Sequence, residues 1–156
     1  MAGPFQGIKI VELGHWVAIP SACAIFADWG ADVVKIEDPG RGDAIRGVRS
    51  LEGTATSERG VQCLFEFLNR NKRSIAIDLR NKQSSQIVHK LVQGADIFAT
   101  NFQTGVLKKL GMDYASLKKT NPRIIYASLT GYGRVGKDKE RPGFDYSALG
   151  KERYPV

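Results

Sequence analysis

The sequence predicts an α/β fold layered around a mainly parallel sheet, and three observations carry that prediction. Short β-branched runs alternate with helix-like segments along the chain, and the first two runs enclose one compact helix within about thirty residues. A strand, a helix and a strand at that spacing form a βαβ unit, which requires a parallel pair and a right-handed crossover. Third, the composition of the 156 residues, 42% hydrophobic and 25% charged, suits one domain with a real core and excludes disorder, collagen and a disulfide scaffold. One domain spanning residues 1–156 is the expectation.

Each element has its own punctuation. Ile8 to Leu13 is a β-branched run ended by Gly14, and Pro20 to Trp29 is a small-residue helix with Pro near its start and Gly30 just past its end. Asp32 to Glu37 is the second strand. Asp38 to Gly60 has five glycines and no sustained period, so it is a functional loop or a poorly ordered one. Val61 to Arg70 reads as a helix with Phe65 and Phe67 as core, and Ser74 to Leu79 as the third strand. Gln83 to Gln93 places Ile87, Val88, Leu91 and Val92 on one helix face and His89 on the solvated one. Ala95 to Thr100 is a fourth strand, Thr104 to Leu110 and Tyr114 to Lys119 are short helices, and Arg123 to Leu129 is a fifth strand.

The net charge of +7 is unevenly placed: residues 1–80 carry ten Lys/Arg against ten Asp/Glu, and the remainder thirteen against six. A basic half attracts nucleic acid, anionic lipid or a phosphorylated small molecule, and charge alone does not choose among them. The basic cluster Asn69 to Arg73 lacks the interleaved aromatics of a nucleic-acid surface and reads as a solvated loop. No apolar run approaches a membrane span and residues 1–9 lack a signal-peptide pattern, so a cytoplasmic protein with no membrane partner is expected. Cys23 and Cys63 lack metal-site spacing and are expected to be reduced and buried. No metal or resident cofactor is called for.

In an open parallel sheet, ligands sit at the carboxyl ends of the strands. That rule nominates Gly14 to Ala18, Asp38 to Asp43, Arg80 to Lys82, Asn101 to Gln103 and Gly131 to Gly133, which together suit a phosphorylated ligand with an aromatic part. The bulky Gly14-His15-Trp16-Val17-Ala18 turn lacks the Gly-x-Gly-x-x-Gly of a dinucleotide site. Gly131 to Gly136 has that spacing but follows the last strand without a clear helix, as a surface turn does. No serine lies in a nucleophile elbow, and with only His15 and His89 no triad can be built; His15 reads as a residue that orients its loop.

Taken in order, several segments resemble the family III coenzyme A transferases, the group that includes the α-methylacyl-CoA racemases. The matching stretches are Gly7 to Leu13, Ala27 to Glu37 with Gly42, Asp43 and Arg46, then Asn69 to Leu79 and Ala95 to Phe98 with Asn101 and Phe102. Leu110 to Met112, Asn121 to Ser128, and Gly131 to Gly133 before Pro142 to Asp145 complete the set. The resemblance implies a Rossmann-like CoA-binding domain. Its implied CoA contacts are Val17 and Ala18, Asp38 at a position often basic in the family, Asp78, Leu79 and Arg80, Asn101, Phe102 and Gln103, Lys109, and Phe144 and Asp145.

The implied partners are a CoA thioester and a carboxylic acid, as substrates rather than cofactors, with a homodimer for the full-length enzyme and no nucleic acid. Transfer in the family resembles a ping-pong reaction through an aspartyl nucleophile in a Gly-Asp motif. That motif falls beyond Val156, so no catalytic residue is assigned within the chain, and an N-terminal part, truncated and inactive alone, is expected. Phe144 stands where the racemases have a proton-moving His, which favours transferase over racemase. The racemase, and a non-enzymatic nucleotide or nucleic-acid binding module, are the alternatives.

Overall fold

A computed structural model of the chain describes residues 3–47 and 62–143. Five strands, β1 (Lys9–Leu13), β2 (Asp32–Glu37), β3 (Arg73–Ala76), β4 (Ile97–Thr100) and β5 (Ile125–Ser128), form one sheet in the order β3-β2-β1-β4-β5. All four pairings are parallel, as the βαβ spacing requires. The helices are α1 (Ala18–Asp28), α2 (Cys63–Asn69), α3 (Ser84–Gln93), α4 (Thr104–Leu110) and α5 (Tyr114–Thr120), with a 3-10 turn at Ala44–Gly47.

Alternation along the strands sorts the core into two layers. Val11, Leu13, Ile36 and Phe98 face Val88 and Val92 of α3, Leu107 of α4 and Leu117 of α5. Ile10, Val33 and Ala99 face Ile19, Cys23 and Ala27 of α1. Ile45, Phe65 and Leu68 make a small third cluster where α2 meets the 3-10 turn. Helix ends follow local chemistry: the Asp113 carboxylate accepts the amides of Ala115 and Ser116 at the start of α5, and Gly111, with φ of 67°, ends α4 in the left-handed region that glycine adopts without strain.

Several expectations are corrected. The third strand ends at Ala76 rather than Leu79, because β2 ends at Glu37 and Ile77 makes a last amide bond to the Glu37 carbonyl (2.9 Å) before the chain leaves the sheet. Helix α1 starts at Ala18, two residues before Pro20, which fits the first turn because no intrahelical N–H is needed there. Cys63 is exposed, at the first residue of α2, while Cys23 is buried. Phe67 is 64% exposed and only Phe65 of that pair is core. Ile87 is 42% exposed, so the buried stripe of α3 narrows to Val88 and Val92.

His89 is not a solvated residue. Its Nε2 donates to the Gly111 carbonyl (2.9 Å) and its Nδ1 faces the Thr120 hydroxyl, so one ring ties α3 to the ends of α4 and α5. Lys72, in the cluster expected to be a solvated loop, has a side chain only 2% exposed.

Candidate functional site

The strand order reverses between β1 and β4, and there the turn leaving β1 meets the turn leaving β4. The two are joined by one side chain. Asn101 accepts from the His15 amide at 3.0 Å and donates to the His15 carbonyl at 2.8 Å, so its amide pairs with backbone as a neighbouring strand would. The His15 ring stacks on Phe102 with centroids 4.7 Å apart. Gly14 has no room for a side chain, since a Cβ would sit 2.6 Å from Ile19 Cγ2, which lets α1 begin close under the turn.

Beside this stack opens a cleft of about 560 Å³ lined by Leu13, His15, Ile36, Glu37, Asp38 and Phe102, with Gly40, Arg41, Asp78, Leu79 and Arg80 at the ends of β2 and β3. Aliphatic side chains and an aromatic pair make its surface, and two arginines stand among its lining groups. The carboxylates are already engaged. Asp38 accepts the amides of Gly40 and Arg41, both at 2.9 Å, and these bonds hold its carboxyl below the usual range. Asp78 accepts from the Arg80 side chain at 2.8 Å and from its amide at 3.0 Å, with the same effect on its carboxyl. Such a cleft suits a ligand with a flat ring and an anionic group, the ring against Ile36 and Leu79 and the anion toward guanidinium.

Glu37, in the lining of the cleft, is only 6% exposed. Burial alone would raise its pKa, but Arg46 (2.8 and 3.0 Å), the Asp43 amide (3.0 Å) and the Ser74 hydroxyl (2.9 Å) outweigh burial and bring it down to about 2. His15 is shifted downward, chiefly by burial and against the pull of Asp43, whose Oδ1 lies 3.9 Å from its Nδ1. Among the described residues no group of three or more His, Cys, Asp or Glu is placed to hold a metal ion. No helix of the described residues is long and apolar enough to cross a membrane.

Of the residues expected at the site, the cleft brings together Asp38, Asp78, Leu79, Arg80 and Phe102. Asn101 acts behind the lining, as the clamp on His15. Val17 and Ala18 are exposed at the start of α1, outside the lining. Gln103 precedes α4 and donates to the Glu140 carbonyl at 2.9 Å, and Lys109 is exposed in the last turn of α4. Phe144 and Asp145 lie outside the described residues. Sequence reading nominated the segment holding Arg41 without naming that residue; the signal was the Asp38-Pro39-Gly40 turn that presents it.

The comparisons with known proteins agree with this fold. The model of CoA-transferase family III matches residues 5–151. The chain is 41% identical over 145 residues to a cinnamoyl-CoA:phenyllactate CoA-transferase of Clostridium sporogenes, covering 93% of this chain and 35% of that protein. It is 39% identical over 152 residues to a succinate–glutarate CoA-transferase of Agrobacterium fabrum, covering 94% of this chain and 37% of that one. Among solved structures, a CAIB/BAIF family protein from Brucella suis superposes with a TM-score of 0.83 at 38% identity, over 97% of this chain and 40% of its own. The chain thus spans about a third of the length of the curated relatives it matches.

Proposed function

This chain belongs to CoA-transferase family III, and from that membership we propose that its described residues form the CoA-binding part of an enzyme that moves coenzyme A between carboxylic acids. The observation that carries the reading is the cleft at the ends of β1, β2 and β3, where Arg41 and Arg80 flank an aliphatic and aromatic surface. CoA offers an adenine for that surface and phosphates for the guanidinium groups. Lys109 on α4 is a further cation for phosphate in this reading.

The proposed full reaction runs through an aspartate. Its carboxylate attacks the thioester carbonyl, the C–S bond breaks, and CoA leaves as thiolate while the aspartate keeps the acyl group as a mixed anhydride. The thiolate then attacks the aspartyl carbonyl and releases the donor acid, and the acceptor carboxylate runs both steps in reverse. None of the carboxylates lining the described cleft suits that role, because Asp38, Asp78 and Glu37 are each held by several donors. The described residues are therefore proposed to bind CoA without supplying the nucleophile of transfer. The homodimer implied by the family and the cytoplasmic location expected from the sequence belong to the same reading.

Calorimetric titration with CoA and with 3′-dephospho-CoA tests it, on chain shown to be folded by circular dichroism and monodisperse by gel filtration. Binding that weakens without the 3′-phosphate supports the proposal. No binding by a folded sample overturns it.

A further inference from the structure

Four charged side chains lie buried together under the turn that follows β1. Glu12 and Lys35 are cross-strand neighbours on the α1 face of the sheet, Asp43 comes from the loop after β2, and Lys72 immediately precedes β3. All four side chains are at most 2% exposed. Lys35 Nζ lies 2.8 Å from Glu12 Oε1 and 2.8 Å from Asp43 Oδ2, and Lys72 Nζ lies 2.8 Å from Glu12 Oε2. Two carboxylates and two ammonium groups balance.

Stability alone does not account for such a set, since apolar side chains of similar volume commonly serve a core as well or better. Apolar groups could not, however, reach the backbone of the turn above. Lys35 donates to the Gly14 carbonyl at 2.9 Å, and Asp43 Oδ1 accepts the amides of Trp16 and Ile45, each at 3.0 Å. Trp16 has φ of 64°, a conformation that bulky side chains rarely adopt and that surrounding bonds must maintain. The turn is thus gripped from below by Lys35 and Asp43 and from the side by Asn101, and it carries the His15 ring that lines the cleft.

We propose that Asp43, oriented by Lys35, is a positioning residue that holds the turn from Gly14 to Val17 in its strained form and keeps His15 against Phe102 as part of the cleft lining. Asp43 acts through the Trp16 amide rather than by touching ligand. The consequence for CoA rests on the function proposed above; the consequence for the turn does not.

Trp16 and Trp29 are the two tryptophans of the chain, so Trp29→Phe leaves Trp16 as the sole tryptophan, excited selectively at the red edge where tyrosine does not absorb. In that background Asp43→Ala is expected to shift Trp16 emission to the red, raise its quenching by acrylamide, and weaken CoA binding by about tenfold or more. Leu117→Ala, which truncates a buried leucine in the opposite layer, is expected to lower Tm while leaving Trp16 emission unchanged.

A second variant guards against an unfolded Asp43→Ala: Glu12→Leu, Lys35→Met, Asp43→Leu and Lys72→Met together replace the whole set by apolar groups. It should fold and still show the red shift. A folded Asp43→Ala or quadruple variant with the parent's Trp16 spectrum and quenching overturns the proposal, as does an equal shift in Leu117→Ala. If the parent binds no CoA, the functional reading fails and the Trp16 signals alone decide the positioning role.

Discussion

Single side chains set what the cleft recognises and when the fold fails. Arg41 and Arg80 are the cations of its lining, and a charge-assisted bond to phosphate is worth about 1.5–3 kcal/mol. Arg41→Gln and Arg80→Gln are each expected to weaken CoA binding about tenfold, and the double variant to bring CoA and 3′-dephospho-CoA together, as read by calorimetry. Glu37 makes the fold sensitive to acid. Its pKa falls from 4.5 to about 2 on folding, so its contribution is complete above pH 4.5 and is lost as pH falls toward 2. That contribution is about 3 kcal/mol, so Glu37→Gln should flatten the decline in urea-unfolding stability between those pH values. The buried charges were the least legible part of the sequence. Strand alternation puts Glu12 with Ile10 and Lys35 with Val33 on one face, yet nothing local says that the face is covered or that Lys72 arrives from a distant loop to complete the set.

At the scale of elements, sequence legibility followed the strength of the local signal. The central strands β1, β2 and β4 carry β-branched or aromatic runs buried on both faces, and they fall within the predicted segments. The edge strand β3 was overextended, because Ile77 and Leu79 continue the apolar alternation after the ladder has ended. In the site, turns were located by the strand-end rule, but their internal bonds were not. That Asn101 would clamp His15 depends on β1 and β4 being neighbours, a fact of topology rather than of either segment. Short α5 depends on its cap, where Asp113 accepts two amides and the Ser116 hydroxyl. Asp113→Ala should cost about 1 kcal/mol, lowering Tm by about 2–4 °C in a chain of this size, as differential scanning calorimetry would show.

For the whole molecule, the two faces of the sheet are unequally covered. Ile125 and Leu129 are 61% and 46% exposed, and Ile125 shares the α1 face with its register partner Ile97. Among the described residues the α1 layer stops short of β5, and Ile125 and Leu129 form an apolar strip along that edge. Ile125→Lys should reduce concentration-dependent light scattering while changing stability by no more than about 0.5 kcal/mol, as expected for an exposed site. The parallel pairing also has a bearing on how the chain is made. Ile10 of β1 pairs on one side with Val33 and on the other with Ile97. During synthesis the first partner emerges soon after β1, whereas the second follows 87 residues behind Ile10, a delay on the order of ten seconds at ordinary ribosome speeds. For that interval the strand destined for the centre of the sheet is an edge with unpaired amides and carbonyls, so the nascent β1–α1–β2 unit is where a ribosome-associated chaperone has most to protect.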